Sequence, residues 1–236
     1  MFTGLVSDIG TVLDVTGDDR LRRLTIRCAY DPTGIALGAS IACSGPCLTA
    51  VSVEPTEGGA VFAVDAAAET LARTTVGAWQ PGRRINLERS LKIGDELGGH
   101  LVTGHVDGLA EIVAHERVTD AESSWGASER FTLRAPADLA RFIAPKGSVC
   151  LDGTSLTVNT VDGDLFTVLL IPHTLEVTTW GERRQGDRLN LEVDLIARYA
   201  ARLTEARART GTEPVSAAGS SRCRWRGRRG RRCPPR

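Results

Sequence analysis

The stretch Gly98-Gly99-His100-Leu101-Val102-Thr103-Gly104-His105-Val106 decides how this chain is read. Its last five residues repeat the pattern of Phe2-Thr3-Gly4-Leu5-Val6, so the sequence begins again near residue 100. Three further matches follow in the same order. Ser44-Gly45-Pro46-Cys47-Leu48-Thr49 returns as Asp152-Gly153-Thr154-Ser155-Leu156-Thr157. Thr70-Leu71-Ala72-Arg73-Thr74-Thr75-Val76-Gly77 returns as Thr174-Leu175-Glu176-Val177-Thr178-Thr179-Trp180-Gly181, and Ile85-Asn86-Leu87-Glu88 as Leu189-Asn190-Leu191-Glu192. Matches that keep their order while the spacing drifts are the mark of a duplicated domain. The expected division is a first domain over residues 1–97, a second over 98–194, a helix over 195–209 and a tail over 210–236.

The bulk composition narrows the class. A chain of 236 residues holds two domains, each just large enough to bury a core. Its 42% hydrophobic and 25% charged content is that of a soluble globular protein. No apolar run reaches the length of a membrane span, and the first residues lack a basic segment followed by an apolar one, so a cytoplasmic location is expected. The formal charge of zero hides an asymmetry. Residues 211–236 carry eight arginines against Glu213 alone, a balance of +7 that leaves −7 on residues 1–210. The folded part is mildly acidic, which argues against nucleic acid as a partner. The six cysteines (Cys28, Cys43, Cys47, Cys150, Cys223 and Cys233) match no zinc-ligand spacing, and reduced thiols are expected.

Short alternating segments bounded by Gly, Pro or Asp read as strands. In the first copy they are Leu24–Cys28, Ser40–Cys43, Leu48–Val53, Val61–Val64 and Arg84–Leu87. In the second they are Leu109–Val113, Arg130–Leu133, Ser148–Leu151, Leu156–Val161, Leu165–Ile171 and Arg188–Val193. About six strands per copy without crossover helices predict an all-β protein, with a small antiparallel barrel or sandwich in each half. Helical turns are expected at Ala66–Thr70 and Ala137–Ile143, as equivalent places in the two copies. A longer helix is expected over Leu195–Arg209, with Ile196, Tyr199, Ala200 and Leu203 in one apolar stripe. That stripe either packs on its own barrel or serves an oligomer contact. The tail beyond Gly211 has too little apolar surface to fold and is expected to be a solvated extension.

Two similar pockets set face to face would hold two copies of one ligand. Cys47 and Ser155 occupy the same position of the repeated turn, and Thr49 and Thr157 should point to the same side two residues later. A thiol or hydroxyl there polarises a ligand, delivers water or attacks carbon, or else satisfies the backbone of the turn. His105 stands where the first copy has Leu5 and is a candidate for proton transfer, as is His100 in the Gly98-Gly99-His100 turn, unless either is structural. Lys146, in a chain with one other lysine (Lys92), would meet a polar ligand group or simply face solvent. Asp65, Asp152 and Asp194 would bind the hydroxyls of a sugar-like chain, although Asp152 also suits its own turn. No phosphate loop, His-Glu-x-x-His or Gly-x-Ser-x-Gly elbow is present, which removes the nucleotide and zinc-hydrolase readings.

Taken together, Met1 to Val6, Gly45 to Thr49, Gly98 to Val106, Asp152 to Thr157 and Ile171-Pro172-His173-Thr174-Leu175 resemble the riboflavin synthase alpha-chain family, over a span from Met1 to about Leu203. The arginine-rich end departs from the family pattern. The resemblance implies two six-stranded Greek-key barrels, each a lumazine-binding domain, and a C-terminal helix that holds a homotrimer together. It also implies a transferase of riboflavin biosynthesis that uses no metal or organic cofactor. Two molecules of 6,7-dimethyl-8-ribityllumazine react, a four-carbon unit passes between them, and riboflavin and 5-amino-6-(D-ribitylamino)uracil leave. In the family the working site lies between the first domain of one subunit and the second domain of a neighbour.

Carried over by position, Gly4, Leu5, Val6, Cys47, Leu48, Thr49, Asp65, Ala66, Ala67, Ala68, Glu69 and Thr70 would line one pocket. Gly104, His105, Val106, Lys146, Ser155, Leu156, Thr157, Leu169, Leu170, Ile171, Pro172, His173 and Thr174 would line the other. On this reading His105 assists proton transfer, Ser155 and Thr157 position the ring or a nucleophilic water, and Cys47 makes the equivalent contact in the first domain. Asp194 would bind ribityl hydroxyls or orient its neighbours. The expected partners are the small-molecule substrate and further copies of the chain, with lumazine synthase an open question. The rival reading is a non-catalytic lumazine- or flavin-binding antenna, which shares the double barrel but can lose one pocket.

Overall fold

Two closed antiparallel barrels account for nearly all the regular structure of the computed structural model, which describes residues 1–118 and 128–210. The first comprises β1 (Asp8–Gly17), β2 (Leu21–Cys28), β3 (Ser40–Cys43), β4 (Cys47–Thr56), β5 (Gly59–Ala67) and β6 (Arg84–Arg89). The second comprises β7 (Gly108–Val118), β8 (Ser128–Arg134), β9 (Ser148–Leu151), β10 (Thr154–Asp162), β11 (Leu165–Leu170) and β12 (Arg188–Val193). Around the first barrel the order is β1-β2-β5-β4-β3-β6, and the second repeats it strand for strand. The run β6-β3-β4-β5 has the fourth strand lying beside the first of three hairpin-linked strands, which is a Greek key. Closure leaves neither sheet with a free edge.

Each barrel is bent by two bulges at equivalent places, at Leu13 and Val51 in the first and at Val113 and Asn159 in the second. A bulge adds one residue to one strand and sharpens the local twist, which lets six short strands close. It also breaks the period-2 pattern. This is why alternation locates β7 only as far as Val113 and does not locate β1, where Leu13 and Asp14 are both exposed after the buried Val12.

The barrel interiors are filled. Val12, Leu24, Ile26, Ile41, Phe62, Ile85 and Leu87 close the first core, and Ile112, Phe131, Leu133, Phe166, Leu189 and Leu191 the second. Each such side chain contributes about 1.5–3 kcal/mol on burial. One tryptophan plugs each barrel and keeps its indole N–H satisfied, Trp79 on Thr75 Oγ1 (3.1 Å) and Trp180 on Thr154 Oγ1 (3.2 Å). With these side chains inside, the polar residues of the repeated motifs are left on the outer faces.

Short helices follow the barrel strands. α1 (Ala68–Arg73) starts two residues later than expected, because Ala66 and Ala67 still belong to β5. Its counterpart is α3 (Pro172–Val177), with Pro172 in the first turn, and not α2 (Ala137–Ala140). α2 corresponds instead to the 3-10 turn Pro32–Gly34, since both precede the short third strand of their barrel. The expected strand Leu165–Ile171 ends at Leu170, where the proline-led helix takes over. α4 (Leu195–Thr210) matches the expected long helix, and its stripe does not pack on the barrels: Ile196 is 72% and Tyr199 61% exposed. The tail expectations fall on residues 211–236, outside the described residues.

The two copies meet about a pseudo-twofold axis. Phe2 and Val102, equivalent in the repeat, form an antiparallel bridge with N–H···O distances of 2.7 and 3.1 Å. Two equivalent asparagines clamp the seam. Asn86 accepts from Thr179 N and donates to the Asp152 carbonyl, while Asn190 accepts from Thr75 N and donates to the Ser44 carbonyl. Both asparagines are about 1% exposed, so each satisfies backbone groups of the opposite barrel that water cannot reach.

Candidate functional site

The bridge between Phe2 and Val102 has a consequence for the site. Each barrel's lead-in segment is anchored to its own last strand by a buried glutamate. Glu88 Oε1 accepts from Thr3 N and Oγ1 (2.6 and 2.7 Å) and Oε2 from Gly4 N, while Glu192 repeats the pattern on Thr103 and Gly104. Beyond that anchor each segment crosses onto the other barrel. The Gly4 carbonyl accepts from Ser155 N (2.7 Å), and the Gly104 carbonyl from Cys47 N (2.9 Å). The partition expected from sequence is therefore crossed. Gly4, Leu5 and Val6 belong with Ser155, and Gly104, His105 and Val106 belong with Cys47.

The Cys47 half is a cavity of about 480 Å³ lined by Cys47, Glu69, Thr70, His105, Val106 and Asp107 among others. Cys47 and Thr49 point outward from β4 while Leu48 and Ala50 point into the core, as strand alternation requires. The exposed Ala67 and Ala68 lead into Glu69, which pairs with Arg73 one helical turn on (3.0 Å). Asp65 does not reach the cavity lining; its carboxylate is held by Arg23 through two bonds of 2.8 Å, which lower its pKa. Leu48 (4% exposed) and Ala66 (0%) face the core, so only their backbone is available to a ligand.

The Ser155 half has a different chemistry. Ser155 Oγ lies 2.7 Å from His100 Nδ1. Burial lowers the His100 pKa, against smaller opposing effects of Asp194 and Glu192, so the imidazole is neutral near neutral pH. In one tautomer Nδ1 accepts the serine proton, and in the other it donates to Oγ. The neighbouring glycine has no room for a side chain: a Cβ at Gly99 would stand 2.0 Å from the Thr3 carbonyl and 3.1 Å from Ser155 Oγ. Gly98 is less constrained, since a Cβ there would meet only the end of the Leu5 side chain at 2.9 Å. Thr157 lies exposed on the same face of β10, with Leu156 between them half-buried.

The repeat places Ile171, His173 and Thr174 around Ser155 as Ala67, Glu69 and Thr70 stand around Cys47. Leu169 (41%) and Ile171 (56%) are exposed, His173 is exposed, and Pro172 and Thr174 are half-buried, whereas Leu170 (1%) faces the core. Lys146 holds φ at +65° in a turn whose first-copy counterpart is Gly38, with φ at +84°. Both turns make the same bond, from Lys146 N to the Val158 carbonyl and from Gly38 N to the Ala50 carbonyl. A lysine is costlier than glycine in this left-handed conformation.

Two aspartates turn out to be structural holders. Asp152, buried and with its pKa raised by desolvation, accepts from Asn190 N and from Arg183 (2.7 Å each). Asp194 caps α4, accepting from Ile196 N (2.7 Å) and Ala197 N (3.4 Å).

Residues 3–90 and 103–194 each match the lumazine binding domain family. The chain is 59% identical over 207 residues to the riboflavin synthase of Brucella abortus (strain 2308), an alignment covering 87% of this chain and 98% of that protein. It is 44% identical over 209 residues to the riboflavin synthase of Mycobacterium tuberculosis (strain ATCC 25618 / H37Rv), covering 86% and 98%. This chain belongs to the riboflavin synthase family. Among solved structures, LumP complexed with riboflavin superposes with a TM-score of 0.69 over 82% of this chain and 99% of that one. At 22% identity that likeness concerns the double-barrel fold. The residue that the structure adds is His100, through its contact with Ser155; sequence reasoning offered it beside His105 without placing it in a pocket.

Proposed function

We propose that this chain catalyses the dismutation of two molecules of 6,7-dimethyl-8-ribityllumazine to riboflavin and 5-amino-6-(D-ribitylamino)uracil. The observation that carries the reading is that the outward residue of each repeated motif, Cys47 or Ser155, is met by the lead-in segment of the opposite barrel, with His105 in the Cys47 cavity and His100 bonded to Ser155. We group Thr49 with the first half-site, and Thr157 and Lys146 with the second. Two half-sites suit a reaction whose two substrates are the same molecule.

The chemistry asks little of the protein. The substrate's C7 methyl is acidic because its anion delocalises into the ring, so a modest base suffices. His105 takes that role in the Cys47 half, and neutral His100 poises the Ser155 hydroxyl in the other. Thr49 and Thr157 hold ring edges, and Lys146 offers a cation to a ring carbonyl or ribityl oxygen. Aligning the two rings in attack geometry supplies roughly 7–11 kcal/mol in favourable cases, and no cofactor is required.

Both half-sites lie on outer faces, and α4 exposes Ile196 and Tyr199. These features fit a homotrimer in which the Cys47 half of one subunit meets the Ser155 half of the next, and the proposed location is the cytoplasm. A lumazine or flavin antenna is the rival reading, and ligand stoichiometry separates the two. Titration with riboflavin, followed by quenching of its fluorescence, is expected to saturate at two ligands per chain. Saturation at one would favour the antenna.

A further inference from the structure

The helix α4 has no counterpart after the first barrel, and one side chain of its first turns reaches the wall of the Cys47 cavity. Arg198 grips Asp107 with both ends of its guanidinium: Nη2 donates to Oδ2 at 2.6 Å, and Nη1 stands 2.5 Å from Oδ1. Asp107 lines the cavity two residues after His105, and its side chain is 9% exposed. The same carboxylate also accepts from Val193 N at 2.9 Å, so it is fixed to the end of β12 as well as to the helix.

The repeat supplies an internal comparison. Asp107 N donates to the Leu191 carbonyl just as Ser7 N donates to the Leu87 carbonyl, so Ser7 is the first-copy equivalent. There the side chain is a hydroxyl bonded to Tyr30, and residues 90–97 form a linker without a helix. The carboxylate stands in the one copy that is followed by α4. A two-pronged arginine–carboxylate pair fixes direction as well as distance, which a single contact does not.

We propose that Arg198 is a positioning residue for the Cys47 half: through Asp107 it holds the His105–Asp107 wall in register with α4. The inference deepens the dismutation reading and rests on it. Packing of the exposed Ile196 and Tyr199 face against another copy then bears on the angle at which His105 meets the ligand. Arg198 itself touches no substrate.

The test uses the full-length protein and the variants Arg198→Lys, Arg198→Ala, Arg198→Glu and Asp107→Asn. Turnover of 6,7-dimethyl-8-ribityllumazine is measured at a concentration where sedimentation shows the variants assembled like the parent. Misplacing a reacting group by about 1 Å can cost on the order of a hundredfold, so Arg198→Ala is expected to lower kcat by about tenfold to a hundredfold. Arg198→Lys should retain more activity than Ala, and Arg198→Glu less. Because Arg198 and Asp107 act as one unit, Arg198→Ala combined with Asp107→Asn should lose no more than the worse single variant.

Alkylation of Cys47, followed on its peptide by mass spectrometry, should accelerate in the alanine variant as the wall loosens. Equal rates for Lys, Ala and Glu, or losses that multiply in the double variant, would show that the pair does not position the wall. A parent protein that does not turn over the substrate would instead refute the dismutation reading.

Discussion

Replacing Ser155 by alanine is expected to lower turnover of 6,7-dimethyl-8-ribityllumazine by about a hundredfold or more while leaving the fold intact, the scale of a lost proton-transfer partner. Ser155 is half-buried on the outer face of β10, and its hydroxyl pairs with His100 Nδ1 at 2.7 Å. Removing the hydroxyl therefore disturbs neither barrel core. The same pair sets an acid limit. His100 has its pKa lowered by burial, so the neutral form persists below the ordinary histidine value of 6.5. The Ser155–His100 pair should therefore stay competent as pH falls past that point and fail through the lowered His100 pKa. The stability sign agrees. A histidine whose folded pKa is depressed stabilises the fold above 6.5, and that contribution fades as pH falls through the folded value. A pH profile of kcat/KM and an acid-unfolding series check both. A Ser155→Ala protein that is folded and turns over at the parent rate would remove Ser155 from the chemistry.

The second large effect is structural. Gly104 holds φ at +76°, and a Cβ there would stand 2.5 Å from Cys47 Cβ and 2.8 Å from Cys47 N. Gly104→Ala must therefore either break the bond between Cys47 N and the Gly104 carbonyl or push β4 outward. Adding the left-handed penalty to the overpacking gives a loss of roughly 2–5 kcal/mol. Turnover should fall with it, because the clash separates Cys47 from the His105 segment. Urea unfolding together with the turnover assay measures both, and an alanine variant within about 1 kcal/mol of the parent would show that the crossing is looser than described.

Local pattern carried much of this architecture. Ser40–Cys43, Ser148–Leu151 and Arg188–Val193 are strands with the bounds that alternation gives. Those strands have no bulge to shift their register, and burial runs almost continuously along them. β1 was illegible because the bulge at Leu13 breaks that period, and α3 was missed although Pro172 is an ordinary helix-start signal. The polar face made by Cys47, Thr49, Ser155 and Thr157 was also readable, since alternation alone puts those residues outward.

Pairings distant in sequence were not readable. The crossing of the lead-in segments depends on a bridge between Phe2 and Val102, and nothing local distinguishes it from a segment that stays on its own barrel. The link between His100 and Ser155 spans 55 residues and that between Arg198 and Asp107 spans 91. Leu48, Ala66 and Leu170 lie in the expected pocket segments but face the cores, a distinction that motif matching by position does not make.

The central claim is that this chain, by itself, converts one substrate into two products. The most direct measurement is incubation of the purified protein with 6,7-dimethyl-8-ribityllumazine alone, without metal or nucleotide, with riboflavin followed by absorbance. The account predicts riboflavin at half the molar loss of substrate. Tight binding of the lumazine with no riboflavin formed would contradict it and leave the antenna as the reading of this double barrel.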